Sequence, residues 1–573
     1  MMNKKTLILS AIVIMALIIS FTGCKKSEEN PIEKTPPVMK NLNLTGEAKA
    51  FTATVTFSEG VYKNNDAKGS LDNSSFNLSV EGPGDVSVDG YQVTHSAGEK
   101  TAEIAITLNK FATDGDKINV RPAGGSSIYN AQGVAMSANE SVSAALKGGQ
   151  VITIKDNGTG TGTTTWTANN TYLLDGFVFV NDGQTLTIEA GTLIKGKPGQ
   201  GEEASALIVA RGGKIMAEGT AENPIIFTAE ADDLQGSVPD LDNGLWGGVI
   251  ILGKARLNTD PSTQQIEGIP TTEPRGEYGG NDDNDNSGVL KYVSIRHGGT
   301  DIGEGNEING LTLGAVGSRT VIEYIEIFSN KDDGIEFFGG NPRLKHIVVA
   351  FCGDDSYDYD QGYRGYGQYW LAVQGYGRGD RLGEHDGGTD PETGKPFAIP
   401  NIYNVTYMGR GAGTGKQVFI FRDNAGGHYA NSIMVNQDRG AYIELLTGEC
   451  AYTRFLKGDL TLENNIFWAI GDNPVFAISA ADDVPADSIA VADQVVAGYF
   501  ATAGNVIRDP GIGIDETGAY FNPIPSNSVG VTMSSVPDAW FETTNYKGAF
   551  DPSSTSTNNW VYGWTLFSKY MQK

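Results

Sequence analysis

Residues 352–370 read CGDDSYDYDQGYRGYGQYW. The segment DDSYDYDQG within this stretch repeats the pattern of DDGIEFFGG, which begins 22 residues earlier at Asp332. Apolar or aromatic residues alternate with polar ones in both segments, as on the two faces of a strand. The offset therefore predicts adjacent parallel strands in successive coils, with Tyr357 and Tyr359 inside and Asp358 and Asp360 outside.

Other short segments share this pattern, and they extend over most of the chain. Ile322 in IEYIEI and Leu344 in LKHIVV are again 22 residues apart, and Leu186 in TLTIEAGTLIKG precedes Leu207 in ALIVARGGKIMAEG by 21. Each such strand needs neighbours on both sides to satisfy its backbone and bury its inward residues. We therefore predict a right-handed parallel β-helix over residues 148–530, with 258–286 and 377–400 as loops that leave one face.

The preceding region, residues 37–147, has a different pattern. FTATVTFSEGVY, AEIAITL and KINVRPA alternate strongly, and turn clusters such as EGPGD separate them. Short strands with regularly spaced turns predict a β-sandwich. VTFSEGVY and IYNAQGVAMS resemble bacterial Ig-like domains, which implies a spacer role. The fold class is thus all-β, with an Ig-like sandwich before the β-helix.

The N-terminus carries an export pattern. MMNKK is followed by the apolar run TLILSAIVIMALIISF, whose last residue, Phe21, begins the segment FTGC at residues 21–24. This arrangement is typical of a signal peptide. It resembles a lipoprotein signal peptide over residues 1–23, with lipid (palmitate) on Cys24. Residues 24–36 predict a polar tether. KKSEEN resembles the export signal of surface lipoproteins, so we expect a lipid-anchored outer-membrane protein that faces the exterior.

Longer motifs extend this resemblance. GTLIKG, GLWGGVIILGKA, DDGIEFFGG and the terminal NYKGAFD…NWVYGWTLF are similar to those of a β-helix surface lipoprotein family of Gram-negative bacteria. The open end of a β-helix exposes strand edges and apolar side chains. We therefore interpret the aromatic-rich residues 531–573 as a C-terminal cap.

The charge balance restricts the partners. The chain has 42 Lys and Arg against 69 Asp and Glu, a formal net charge of −27. This excess disfavours nucleic acid, which is itself a polyanion. Neutral glycans, cations and protein ligands are the compatible classes.

Two acidic turns stand out, Asp332-Asp333 and Asp354-Asp355, because strands in adjacent coils lie only about 5 Å apart. Like charges this close raise each other's pKa or recruit a cation. Three interpretations stay open: solvated turns, calcium between the coils, or a catalytic carboxylate pair. The last resembles polygalacturonase-type β-helix hydrolases, although their downstream histidine and lysine motifs have no match at the corresponding position.

Two further segments are candidate binding sites. GGNDDNDNSGVL, residues 279–290, begins like an EF-type calcium loop, with Asp283, Asp285 and Ser287 as ligands; Ser294 stands where the bidentate glutamate belongs. In residues 352–370, aromatic side chains interleave with arginine, a composition typical of recognition surfaces. There we predict ligand contacts from Tyr363, Tyr366, Trp370, Asp358 and Asp360.

The sequence leaves three functions open. Because no complete catalytic set of residues emerges, we expect non-catalytic binding of an extracellular glycan or other ligand, or adhesion. The alternative is a polysaccharide hydrolase or lyase that uses the acidic face 332–360, with Asp332, Asp333, Asp354 and Asp355 as its catalytic candidates. A third interpretation is an accessory or structural subunit of an uptake complex.

Overall fold

A computed structural model describes residues 34–571, except for 48, 85, 114, 304–305, 376, 389–390, 516–517 and 529–531. The predictions for the signal peptide and Cys24 lie outside the described residues. The described chain forms two compact units: one holds most of the residues up to Leu146, and the other runs from Lys147 onward with the short segments 47–49 and 110–115. No helix among the described residues is long and apolar enough to cross a membrane.

The first unit is built from antiparallel strands. One sheet contains, in spatial order, Met39–Glu47, Ala50–Phe57, Thr101–Leu108 and Val88–Thr94. The other contains Phe76–Glu81, Lys117–Pro122 and Val142–Ala145. Alternate side chains of Thr101–Leu108 are buried, as a strand with one face on a core requires.

The second unit is dominated by two long parallel sheets. The first, which we call the ten-stranded sheet, contains ten strands within the described residues. They are Phe177–Val180, Ala206–Val209, Val249–Leu252, Leu311–Gly314, Ile335–Phe338, Tyr357–Asp360, Gly383–Asp386, Gln417–Arg422, Arg439–Leu445 and Phe476–Ala480. The sequence alternation therefore produces the predicted parallel β-helix.

The second sheet, which we call the eighteen-stranded sheet, contains eighteen strands within the described residues. These strands form the other sides of the coils. In the order of the sheet they are Val151–Ile154, Thr164–Trp166, Thr171–Leu174, Thr185–Ile188, Leu193–Gly196, Lys214–Glu218, Ile225–Ala229, Gly288–Arg296, Val321–Phe328, Arg343–Ala350, Tyr366–Val373, Asn401–Tyr403, Thr406–Gly411, Gly427–Ala430, Ile433–Gln437, Leu460–Glu463, Ile466–Ile470 and Val506–Ile507.

The 22-residue offset is confirmed in the middle coils. Ile335 lies beside Tyr357 in the ten-stranded sheet, and Ile322 lies beside Leu344 in the eighteen-stranded sheet. Tyr357 and Tyr359 are each only 1% exposed, so both face the interior as predicted. Side chains from the two sheets form one continuous core, which stabilises strands that could not stand alone.

The interpretation of the 21-residue offset as one coil of the β-helix is wrong. Leu186 pairs with Ile215 of the eighteen-stranded sheet, whereas Leu207 pairs with Val178 and Val249 of the ten-stranded sheet. The two segments that look alike in sequence therefore lie on different sides of the coils. Similar alternation arises on every buried strand, so the pattern alone did not distinguish the sheets.

A corner of the eighteen-stranded sheet is made by residues with positive φ. Tyr292, Tyr324, His346 and Tyr369 occupy this position in successive coils, with φ between 50° and 61°, and Asn404, Asn431 and Asn464 continue it. The left-handed region suits asparagine but is unfavourable for bulky side chains. Tyr324 stacks on Tyr292 and on His346, each at 4.3 Å between ring centroids, which offsets part of that cost.

The C-terminal tail, which we predicted to cap the open end of the β-helix, lies along the side of the coils and covers apolar surface there. Phe550, Val561 and Phe567 pack against outward-facing Val348 and Leu371 of the eighteen-stranded sheet. Glu326, which is 0% exposed, accepts hydrogen bonds from the Leu566 and Phe567 amides at 3.0 and 2.8 Å.

Two helices flank the last coils, Ala451–Lys457 and Ala486–Thr502. On the longer helix, Val496 is buried against the core of the coils. The predicted loop 258–286 folds back instead of extending away. Its Ile266, Ile269 and Tyr278 cover the outward face of the first strands of the ten-stranded sheet. The segment also reaches later coils, because Tyr278 donates a hydrogen bond to Gln361 Oε1 and Asn258 donates one to the Gly387 carbonyl, each at 2.6 Å.

Candidate functional site

Carboxylates form columns on the outward face of the ten-stranded sheet. Because Ile335, Tyr357 and their partners face inward, the alternate residues face outward. Parallel pairing aligns Glu336 with Asp358 and Asp358 with Glu384. Side chains at the same position of adjacent coils are about 4.8 Å apart, so the three carboxylates form a ladder along the axis of the coils.

The turns that precede these strands add a second set of carboxylates. Asp332 and Asp333 lead into one strand, and Asp354 and Asp355 lead into the next. Oxygen atoms of Asp332, Asp333 and Asp354 lie within 4.8 Å of one another. Asp355 forms a second such group with Asp354 and Asp380, so the structure brings together all four catalytic candidates from the sequence.

Solvent reaches only the outer pair. Asp354 is exposed and Asp332 is half-buried, whereas Asp333 is 8% and Asp355 is 1% exposed. The outer pair can therefore touch a ligand, while Asp333 and Asp355 lie beneath it.

Hydrogen bonds fix the buried pair. The Asp355 amide donates to Asp333 Oδ1 at 2.8 Å, which links the two turns. Arg381 Nη1 lies 3.2 Å from Asp355 Oδ2 and 3.1 Å from Glu384 Oε1. Arg381 therefore ties the downstream coil to the acidic turns and holds Asp355 in place.

Burial and mutual repulsion raise the pKa values in this cluster. Burial raises the pKa of Asp332 to about 7, with further contributions from Glu307 and Asp354. The pKa of Asp354 is also raised, by burial and then by Asp380. Burial raises the pKa of Asp333 and of Asp355 well above the usual range. Near neutral pH the cluster therefore contains both protonated and ionised carboxyl groups.

Positive partners are concentrated on the downstream coil. Arg422 pairs with Asp386 at 2.7 Å and Lys416 with Asp380 at 2.6 Å. In the part of the chain that the structure describes, no Lys or Arg nitrogen lies within 4.0 Å of a carboxylate oxygen in this set: Asp332, Asp333, Glu336, Asp354, Asp358 and Asp360. Among the described residues these carboxyl groups of the two upstream coils therefore lack a direct ion pair, whereas Asp355 of the same turns pairs with Arg381.

The predicted aromatic platform is wrong for two of its three members. Tyr363 is 0% and Trp370 is 1% exposed; they stack inside on Phe337 at 4.3 Å and on Tyr357 at 4.7 Å. Positive φ at Tyr369 interrupts the strand alternation just before Trp370 and turns its ring inward.

The third member, Tyr366, lies on the eighteen-stranded sheet, where it packs against Phe541 of the tail at 5.0 Å. It is therefore not brought together with Asp358 and Asp360, which lie on the ten-stranded sheet and are half-buried on its outward face.

The loop at 279–290 does not gather its three predicted calcium ligands around a common point. Both Arg256 and Arg364 donate to the Asp283 carboxylate, Asp285 Oδ2 accepts from Ser287 Oγ at 3.3 Å, and Ser287 is 2% exposed. Guanidinium groups thus supply the positive charge that a cation would bring, which disfavours calcium at this loop.

Sequence reasoning did not connect Glu384, Asp386 and Arg422 with the site. Tyr359 pairs with His385, an offset of 26 residues instead of 22, because the connection between these two coils is longer. The segment GEHDGG itself was visible in the sequence, and a search that allowed longer offsets could have placed it on the next coil.

These observations define a parallel β-helix protein with an acidic cluster on one outward face. Residues 158–504 match the model of the pectate-lyase-like β-helix domain. The chain belongs to that family. No curated protein matches it.

Two solved structures align with most of this chain at low identity and low TM-score. The catalytic unit of a GH87 α-1,3-glucanase from Streptomyces thermodiastaticus strain HF3-3 is 12% identical, with a TM-score of 0.21, and the alignment covers 77% of this chain and 86% of that one. The catalytic domain of a GH87 α-1,3-glucanase in complex with nigerose is 10% identical, with a TM-score of 0.22, covering 76% and 91%. Likeness at these scores carries no information about activity.

The family match contradicts our first functional prediction, of a non-catalytic glycan-binding or adhesion protein. Membership in a pectate-lyase-like family favours the alternative, a polysaccharide hydrolase or lyase. The absence of a complete catalytic motif misled the sequence argument, since carboxylates from separate coils become neighbours only in the folded chain.

Proposed function

We propose that this protein cleaves polysaccharides by glycosidic hydrolysis, with Asp332 as general acid and Asp354 as the second catalytic carboxylate. The observation that carries the proposal is the arrangement of this pair: two solvent-facing carboxyl groups on adjacent coils, above a buried acidic pair, in a pectate-lyase-like β-helix. Glycoside hydrolysis needs one protonated and one ionised carboxyl group beside the scissile bond.

The electrostatics support this division of roles. The raised pKa of Asp332, about 7, leaves a proton for the leaving-group oxygen near neutral pH. Asp354 is the more exposed of the two, and Arg381 and Lys416 oppose the effect of burial on its pKa, which favours its ionised form. Asp354 attacks the anomeric carbon and the glycosidic bond breaks as Asp332 gives up its proton; water then releases the sugar, and Asp332 takes a proton from it.

The close spacing also favours one stereochemical outcome. Oxygen atoms of Asp332 and Asp354 lie within 4.8 Å of each other. Retaining enzymes place their carboxyl groups about 5–5.5 Å apart, whereas inverting enzymes leave about 6.5–9.5 Å for a water molecule. We therefore expect retention of anomeric configuration, which NMR of the first-formed product tests. An inverted product would contradict the role of Asp354 as nucleophile.

The primary test is an activity screen with matched variants. The protein is incubated with neutral, cationic and anionic polysaccharides, and new reducing ends are measured. Cleavage should be lost in Asp332→Asn and Asp354→Asn. It should persist in the control Asp482→Asn, which makes the same change at an exposed residue outside the cluster. Cleavage that survives both test substitutions would overturn the assignment.

Calcium between the coils competes with this assignment. Asp332, Asp333 and Asp354 form one group of carboxylates close enough to share a cation, and Asp354, Asp355 and Asp380 form another. A bound cation would keep Asp332 ionised and abolish its role as acid. Under the hydrolase proposal, activity and melting temperature should be unchanged by a chelator, whereas loss of both would favour calcium.

We also propose that a lipid on Cys24 anchors the protein in the outer membrane, facing the exterior, and that the first unit serves as an Ig-like spacer. The support is the sequence TLILSAIVIMALIISFTGC at residues 6–24. Metabolic labelling with a fatty-acid analogue should mark the wild type, and Cys24→Ala should abolish the label. A labelled Cys24→Ala protein would contradict the anchor.

A further inference from the structure

The acidic site is short of hydrogen-bond donors as well as of positive charge. Asn309, which is 2% exposed, donates through Nδ2 to the Glu336 carboxylate, and its Oδ1 has no hydrogen-bond partner. Asp358 Oδ1 is also a buried acceptor without a partner. A buried acceptor left unpaired is costly, so these two atoms indicate that a donor belongs in the site.

The unpaired acceptors lie in one outward strip. Glu336 and Asp358 are register partners on neighbouring strands, and the Asn309 amide contacts Glu336 from the preceding coil. Downstream, Glu384 continues the same column but is paired with Arg381 and Arg422. The unsatisfied part of the column is therefore confined to the coils that carry Asp332 and Asp354.

We propose that the substrate is an amine-bearing glycan, whose ammonium groups bind along Glu336 and Asp358 while Asp332 and Asp354 act on the adjacent glycosidic bond. This inference rests on the proposed function for the catalytic pair. An ammonium group has three donors and no acceptor, which matches a site with excess acceptors, and its positive charge would stabilise the ionised form of carboxyl groups that hold their protons in the free protein. A polyuronate would place like charges together and would be repelled.

The direction of the columns suits a chain of sugars. Carboxylates repeat once per coil, at about 4.8 Å, along the axis of the coils. A polysaccharide lying along this axis would meet successive carboxylates with successive residues. An amine on the sugar ring supplies the positive charge.

The test compares oligosaccharides of glucosamine with their N-acetylated counterparts of equal length and linkage, in α- and β-linked sets, at about pH 6, where an amine is largely protonated. These pairs differ only at the nitrogen, which is a charged amine in one and a neutral acetamide in the other. The oligoglucosamine should bind the Asp354→Asn protein at least tenfold more tightly, and added salt should weaken that binding because it screens the charges.

Two substitutions test the role of Glu336 and Asp358 in binding, without a measurement of cleavage. Asp358→Asn and Glu336→Gln should each weaken oligoglucosamine binding about tenfold, as loss of a buried charge partner does, and should leave binding of the N-acetylated oligosaccharide unchanged. Asp482→Asn should change neither. Melting curves confirm that each variant is folded.

The outcomes separate the two proposals. Cleavage of neutral chains as fast as amine-bearing ones would overturn the substrate class and keep the hydrolase. Absence of cleavage together with tight, Asp358-dependent oligoglucosamine binding would overturn the hydrolase and keep the ligand class. Equal affinity for both oligosaccharides, binding of an equally charged lysine peptide as tight as that of oligoglucosamine, or binding that a chelator abolishes would each overturn the amine-glycan proposal.

Discussion

At the scale of single residues, Asp332 and Asp354 become neighbours because they occupy equivalent positions in successive coils. They are 22 residues apart in the chain, yet their carboxylate oxygens lie within 4.8 Å. Burial raises the pKa of Asp332 most, and Glu307 and then Asp354 raise it further, whereas the pKa of Asp354 is raised by burial and then by Asp380 and Glu384 of other coils. The register of the coils, and not the local motif, therefore decides which carboxyl group keeps its proton.

The pH dependence of cleavage follows from Asp332. A general acid works in its protonated form, which for Asp332 predominates below about pH 7. We expect kcat to fall tenfold per pH unit above that value, and Asp332→Asn to lower kcat about 10²–10⁴-fold. A pH series on the wild type measures this; a rate that keeps rising above pH 8 would contradict Asp332 as the acid.

At the scale of elements, the tail and the corner of the eighteen-stranded sheet depend on each other. Asn431, 2% exposed with φ of 56°, donates through Nδ2 to the Ser534 carbonyl at 2.9 Å. Its Oδ1 accepts from the Ser534 amide at 2.8 Å. The Asn431 side chain thus forms hydrogen bonds with both the amide and the carbonyl of Ser534 in the tail. The backbone of Asn431 meanwhile adopts the positive φ that the corner requires.

Removing this side chain should loosen the tail. Asn431→Ala loses two partly buried hydrogen bonds and places alanine, which lacks the asparagine side chain suited to this region, at positive φ, so we expect the free energy of unfolding to fall by about 2–4 kcal/mol. Asn284→Ala, at an exposed loop residue, is the control and should change it by less than about 0.5 kcal/mol. Urea denaturation measures both, and equal stabilities would contradict the role of Asn431.

At the scale of the whole molecule, the buried carboxyl groups should make stability depend on pH. Burial raises the pKa of Asp333, Glu336, Asp355 and Asp358 well above the usual range. In the unfolded chain these groups lose their protons near pH 4, as ordinary carboxyl groups do. The folded protein therefore binds more protons than the unfolded chain above about pH 4, and its stability falls as pH rises.

We expect the melting temperature to decrease steadily between about pH 5 and pH 8, and Asp358→Asn to flatten the decrease. Carboxyl groups with lowered pKa, such as Asp156 and Asp240, act only below about pH 4 and do not cancel this trend. Calorimetry across the pH range provides the measurement. Stability that increases from pH 5 to pH 8 would show that these groups are ionised and compensated in the folded protein.

The sequence by itself determined the β-helix, the 22-residue register of its middle coils, the inward position of Tyr357 and Tyr359, and the meeting of the four turn aspartates. These features follow from local alternation and a constant repeat length, which a sequence displays directly. The tertiary structure alone decided that Asp332 and Asp354 face solvent above a buried pair, and that the tail follows the side of the coils.

Only the tertiary structure, too, placed Trp370 inside and brought Glu384, with its arginine partners, into the site. The reason is physical: a positive φ at one corner residue reverses which side chains face inward, and a longer connection changes the offset between coils. Neither effect leaves a periodic trace in the sequence. Burial, and with it the raised pKa of each carboxyl group, depends on the stacking of several coils together.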